Sequence, residues 1–74
     1  MSGLPQISGR ECVVILEKVG FRVVRQKGSH LVVRRDEPFS QVVVPDHQQL
    51  SRGTLRAIIR QTGVPMEVFT MPSR

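Results

Sequence analysis

The sequence predicts an α+β domain in which a helix, a three-stranded antiparallel sheet and a second helix follow one another, with both helices on one face of the sheet. Apolar residues recur at helical spacing near both ends of the chain, and two short turns divide the β-rich middle into three runs. Because turns this short join antiparallel neighbours, the strands should form a meander. The 74 residues are expected to form one domain, 1–74, with its core at about 8–70.

The first helix is predicted over about 9–19. Ser8 and Glu11 have the spacing of a capping box, and Gly20 stands where a helix commonly ends in a left-handed residue. An apolar stripe at helical spacing supports this helix and comprises Cys12, Val13, Ile15, Leu16 and Val19. The lone Cys12 lies within this stripe, so we interpret it as a small buried hydrophobe rather than a nucleophile.

Three strands and a second helix complete the prediction. Runs rich in Val and Phe predict strands over 21–25, 29–35 and 39–44, separated by turns at 26–28 and 36–38. Ser51 can cap the second helix and Gly63 can stop it, with Leu55, Ile58 and Ile59 as its apolar stripe. One further helical turn is expected at 65–69.

The composition limits the classes of function. The formal net charge of +5 suits a polyanion partner, an acidic protein partner, or both. Three Phe with no Tyr or Trp give little support for base stacking on an aromatic surface. No apolar run is long enough to span a bilayer or to serve as a signal-peptide core, so we expect a cytoplasmic protein with no membrane partner.

His30 is the residue best suited to proton transfer near neutral pH. Strand alternation places it with Val32 and Arg34 on the sheet face that no helix covers. Lys27 and Gly28 precede it in the predicted turn, where Lys27 adds a cation beside the histidine and Gly28 would let a ligand approach the backbone. We expect these two residues to bind the substrate together with Ser29, at the strand end, and Arg34. The alternative is that His30 is a solvent-facing strand residue with no role.

A row of cations on the second helix is the other candidate site. Arg52, Arg56 and Arg60 recur every four residues, and Thr54 and the first-turn N–H groups add anion donors. The row is either a clamp for nucleic-acid phosphates or a solvated helix face. The only other histidine, His47, precedes this helix in a polar loop, where a hydrogen-bonding role is favoured over an auxiliary catalytic one. Two isolated histidines without clustered carboxylates predict no metal site.

Three stretches together resemble the HicA toxins, small bacterial mRNA interferases of toxin–antitoxin modules. They are Val24–His30, Val44–His47 and Leu50–Arg56, and the resemblance runs from Ser8 to Phe69. It implies a fold like the double-stranded-RNA-binding domain, metal-independent RNA cleavage without a cofactor, and a HicB-type antitoxin that covers the active surface. It also implies that the essential histidine is the one in the Gly-Ser-His motif, His30.

Three functions remain open on the sequence. The first is an endoribonuclease toxin that cleaves mRNA by attack of the substrate 2′-OH. The second is a non-catalytic double-stranded-RNA-binding module, which the order of elements and the arginine row fit equally well. The third is a structural protein whose basic face docks an acidic chain.

Overall fold

The computed structural model of the protein describes residues 4–70. Within them the chain forms α1 (Gly9–Glu17), β1 (Arg22–Lys27), β2 (His30–Asp36), β3 (Phe39–Pro45), α2 (Arg52–Thr62) and the short α3 (Glu67–Thr70). The strands are antiparallel in the order β1-β2-β3, which confirms the predicted α+β order and the meander. The order of elements and the open sheet give a fold like that of a double-stranded-RNA-binding domain, with one face of the sheet covered by helices. None of these helices is long and apolar enough to cross a membrane.

Local sequence signals fix three of the four ends of the two main helices. The Ser8 hydroxyl accepts a hydrogen bond from the Glu11 N–H at 3.0 Å, and the Glu11 carboxylate accepts one from the Ser8 N–H at 2.8 Å, so the capping box is confirmed. Helix α1 ends two residues before the predicted 19, and the chain turns through Gly20, whose φ of 102° is positive. Helix α2 begins after Ser51 and ends at a left-handed Gly63, as predicted.

The first hairpin differs from the prediction in its turn. The sequence predicts the turn at 26–28, but it consists of Gly28 and Ser29, and Lys27 belongs to β1, where it pairs with His30. Gly28 has a φ of +58°, a conformation that a glycine adopts without strain. Because two residues suffice to reverse the chain, strand pairing continues to the last residue before the turn.

The core lies between the helices and one face of the sheet. Leu31 and Val33 of β2 and Val42 and Val44 of β3 are buried beneath the helices. The helices contribute Cys12, Val13, Leu16, Leu55 and Ile58, and the remaining buried apolar residues include Leu4, Phe21, Leu50, Val64 and Phe69. Leu4 lies ahead of the predicted core at about 8–70. Cys12 is fully buried, and desolvation raises the pKa of its thiol to about 12, which agrees with its interpretation as a hydrophobe.

The loop after β3 is held against the start of α1 and against the first hairpin. The Gly9 N–H donates to the His47 carbonyl at 2.9 Å, and a side chain at Gly9 would overlap the Pro45 carbonyl oxygen. Arg10 donates two hydrogen bonds to the Asp46 carboxylate, at 3.1 and 3.0 Å, and these bonds lower the pKa of Asp46.

The same loop is also bonded to the first hairpin, because the Asp46 N–H donates to the Ser29 carbonyl at 2.7 Å. The turn before His30 is thereby tied to the body of the domain.

Candidate functional site

The sheet face opposite the helices carries the histidine singled out by the sequence. Along β2 the residues alternate in burial, with His30 exposed, Leu31 and Val33 buried, and Val32 and Arg34 half-buried. The predicted strand parity is confirmed. We call this outer surface the open face. It consists of Arg22, Arg25 and Lys27 of β1, His30, Val32, Arg34 and Asp36 of β2, and Phe39, Gln41, Val43 and Pro45 of β3.

His30 occupies one end of the open face, between the two neighbouring strands. Lys27 pairs with it on β1 and Pro45 pairs with it on β3. Apart from Gly28 itself and its two chain neighbours, no heavy atom of residues 4–70 lies within 4 Å of the position that a Cβ at Gly28 would occupy, so the turn before His30 is open to a ligand. Ser29 is exposed, although its carbonyl accepts the Asp46 N–H at 2.7 Å. The structure therefore places Lys27, Gly28 and Ser29 beside His30 at this end of the open face.

Arg34 lies on the same face but its charge is partly countered. Its Nε is 3.3 Å from one oxygen of Asp36, and the other oxygen of that carboxylate is 3.0 Å from the guanidinium of Arg22. The open face thus carries four cations, at 22, 25, 27 and 34, and Asp36 is the one carboxylate among its residues as defined above. The surface around His30 is strongly positive, and its charge is concentrated toward the His30 end, away from Asp36.

Arg25 is an open-face cation that no pattern in the sequence groups with His30. It pairs with Val32, two residues along β2 from His30. On the sequence, Arg22, Arg25, Arg34 and Arg35 are scattered cations, but the first three share the open face. A β-bulge brings Arg25 to this face, and no short sequence signal marks one.

Arg35 lies on the other side of the sheet. Its guanidinium is over the Phe21 ring, 4.7 Å from the ring centroid, and it donates a hydrogen bond of 3.4 Å to the Thr62 carbonyl at the end of α2. Arg35 therefore contributes to the packing between the sheet and α2 and is not part of the open face.

His47 is exposed in the loop that follows β3, two residues beyond the partner of His30. Its main-chain carbonyl accepts the Gly9 N–H at 2.9 Å, so its backbone is part of the loop's hydrogen bonding. For its imidazole, a hydrogen-bonding role in the loop remains the favoured prediction and an auxiliary catalytic role the alternative.

The arginine row lies apart from His30. Arg52, Arg56 and Arg60 are all exposed on α2, and that helix packs against β3 on the covered side of the sheet through Leu55, Ile58 and Thr62. The row and the imidazole therefore belong to opposite layers of the domain. Thr54 takes part in the N-terminal cap of α2. Its N–H donates to the Ser51 hydroxyl oxygen at 3.1 Å, and its own hydroxyl oxygen accepts a hydrogen bond from the Ser51 hydroxyl at 2.9 Å.

The open face has few side chains that could act as metal ligands. Within residues 4–70 no three His, Cys, Asp or Glu side chains are grouped as ligands for an ion. The chemistry available at the open face is that of one imidazole beside primary amine and guanidinium cations. Such a set can transfer a proton and hold a phosphate.

Comparison with known proteins identifies the family. No curated protein and no solved structure matches the chain significantly. A family model described as HicA toxin of bacterial toxin-antitoxin matches residues 9–64, a segment that contains α1, the whole sheet and α2. Because the match covers well over half of the 74 residues, the chain belongs to the HicA toxin family and is the toxin of a bacterial toxin–antitoxin module.

Proposed function

We propose that this toxin is an endoribonuclease that cleaves mRNA on the open face, with His30 as the residue that transfers protons. The observation that carries the proposal is an exposed imidazole at the positive end of a basic sheet face, directly opposite Lys27. That the protein is a toxin follows from its membership of the HicA family. With messenger RNA as its substrate, the toxin would act in the cytoplasm.

RNA contains its own nucleophile, which simplifies what the protein must supply. The 2′-oxygen attacks the adjacent phosphorus, the bond from phosphorus to the 5′-oxygen breaks, and the products are a 2′,3′-cyclic phosphate and a 5′-hydroxyl. The 2′-OH gives up one proton and the leaving 5′-oxygen gains one. His30 can serve either transfer and supply about 10²–10⁴-fold as acid or base.

The charge that develops on the phosphorane needs donors that are already in place. Lys27 lies across from His30, and the exposed Gly28–Ser29 turn brings backbone close to the same point. Preorganised donors of this kind contribute about 2.7–4 kcal/mol each to transition-state stabilisation. One histidine with such donors predicts a modest catalyst, which suffices for a toxin that needs only a few cuts per transcript.

The role of the 2′-OH gives a test of the mechanism. We expect cleavage to proceed in excess EDTA and to leave 2′,3′-cyclic phosphate or 3′-phosphate ends, because substrate and His30 together provide the nucleophile and the proton transfers. An RNA with a single 2′-deoxy residue at the cut site should resist cleavage, and the same oligonucleotide with the 2′-deoxy residue several positions away is the control. Cleavage of the first substrate at an unchanged rate would reject the mechanism.

The arginine row is proposed as a second RNA-binding surface that contributes affinity rather than chemistry. Replacing Arg56 and Arg60 together with Gln should raise the Kd for RNA and lower the slope of log K against log salt by about 0.7 to 0.9 for each phosphate that the helix no longer neutralises. The control is Lys18→Gln, which removes one exposed cation outside this row, so the change in slope is compared per charge removed. An unchanged slope in the double variant would mean that the row is only a solvated helix face.

We further propose that the antitoxin is a HicB-type protein that covers the open face. Apolar side chains are exposed there among the cations, with Val43 at 48% and Phe39 at 67% of their full accessibility, and half-buried Val32 pairs with Val43. A partner with apolar and acidic residues would bury the valines together with His30 and meet the cations. Inhibition would then be occlusion of the site, with no conformational change required in the toxin.

A non-catalytic double-stranded-RNA-binding module is the second candidate. The observation that favours it is the separation in the fold between the arginine row and His30, since α2 and the open face are on opposite sides of the sheet. Such a module would bind about 16 bp through phosphate and 2′-OH contacts and would not need the imidazole. Toxicity that survives removal of His30 would favour this function.

A further inference from the structure

The register of β1 against β2 contains an irregularity near the middle of β1. Val23 pairs with Val33 and Arg25 pairs with Val32, so Val24 is an extra residue between two consecutive pairs. This arrangement is a β-bulge, which interrupts the alternation of side chains along a strand.

The bulge decides which face receives two of the cations. Arg22 pairs with Arg34 and lies on the open face. With unbroken alternation from Arg22, Arg25 and Lys27 would fall on the face covered by the helices. The extra residue shifts the pattern by one position, so that Arg25 comes opposite Val32 and Lys27 opposite His30. Both cations reach the His30 face because the bulge is present.

The cations of the open face differ in whether they form an ion pair. Asp36 is within 3.0 Å of the Arg22 guanidinium and 3.3 Å of the Arg34 Nε. Within residues 4–70, neither Arg25 nor Lys27 forms an ion pair, and both are exposed. A bound phosphate would therefore meet uncompensated charge at Arg25 and Lys27, and partly neutralised charge at Arg22 and Arg34.

We propose that Arg25 binds the RNA phosphate next to the one that is cleaved at His30. Opposite Val32, it is a diagonal cross-strand neighbour of His30, at the roughly 7–8 Å separation that long side chains bridge. Its planar guanidinium can hold a phosphate through two parallel hydrogen bonds, whereas Lys27 acts as a point charge at the reacting group. The inference rests on the proposed function and adds a binding residue to the same site.

The test measures binding without cleavage. Single-stranded RNA is titrated against the His30→Ala protein, alone and combined with Arg25→Gln, Arg25→Lys or Arg22→Gln, at several salt concentrations. We expect Arg25→Gln to raise the Kd about tenfold, as for the loss of a hydrogen bond to a charged group, and to lower the salt slope by about 0.7. Arg25→Lys should restore the slope but only part of the affinity, because lysine does not bind bidentately.

Arg22→Gln is the matched control, since Arg22 is an exposed arginine of the same strand and face that already pairs with Asp36. Its Kd should change less than about twofold, because a charge that is already paired adds little to phosphate binding. An effect of Arg25→Gln no larger than that of Arg22→Gln would overturn the inference and leave the proposed nuclease in place. Failure of the folded His30→Ala protein to bind RNA in every background would instead reject RNA as the ligand, and with it the proposed function.

Discussion

His30→Ala is expected to abolish RNA cleavage and growth arrest while leaving the fold unchanged. The side chain is exposed at the end of β2, so its removal takes away little buried apolar surface and should cost little folding stability. It is also the only imidazole on the open face of residues 4–70, so its removal eliminates the group that transfers protons in the proposed mechanism. The measurements are bacterial growth and transcript integrity after induction, with thermal unfolding of the purified variant beside wild type.

His47→Ala is the matched control for this experiment. It removes the same side chain from an exposed loop residue whose backbone, rather than its imidazole, holds the structure. It should retain most of the activity. Loss of cleavage together with loss of cooperative unfolding in His30→Ala would make His30 a structural residue. Cleavage retained by that variant would remove His30 from the mechanism.

Val32→Lys is expected to weaken the complex with the antitoxin by at least about 1–2 kcal/mol, which is roughly five- to thirtyfold in Kd. Val32 is half-buried at the centre of the open face, beside the exposed Val43. A lysine there would place an unpaired charge in the apolar part of the interface, on a face that is already positive. Isothermal titration calorimetry of the variant with the antitoxin measures the Kd of the complex. Bacterial growth when the variant and the antitoxin are expressed together shows whether inhibition is impaired.

Val14→Lys is the control, because Val14 is 51% exposed on α1, on the helical side of the domain. It adds the same charge and should leave the affinity for the antitoxin unchanged. If Val32→Lys binds and is inhibited at wild-type affinity, the inhibitory surface lies elsewhere, and α2 becomes the first place to look.

The order of helices and strands is predictable from the sequence because capping signals and hydrophobic periodicity agree within most of the elements. The Ser8–Glu11 capping box and Gly63 set helix ends that tertiary packing does not move. Strand parity places His30 and Val32 on the open face correctly, because β2 is regular from end to end and has a covered and an uncovered side. Such alternation is a direct consequence of the two-residue repeat of a strand.

The prediction is incomplete where the outcome depends on contacts between elements. Nothing local distinguishes the bulge at Val24 from regular strand, since it is defined only by the register with β2. The pairing of Asp36 with Arg22 on β1 likewise requires the register of the two neighbouring strands. The sequence also predicts substrate binding by the arginines of α2 together with the residues around His30, whereas the layer order of the fold separates the two groups.

The bulge has a second consequence, which concerns the solubility of the toxin. β1 is an edge strand, and all six of its residues are exposed. A regular edge of this kind invites a second copy to add its own strand and so to begin aggregation. Here the bulge distorts the hydrogen-bonding edge, and Arg22, Arg25 and Lys27 would face the same cations of the other copy. Edge pairing between two toxins is thereby disfavoured, while a partner strand carrying acidic residues would meet no such repulsion.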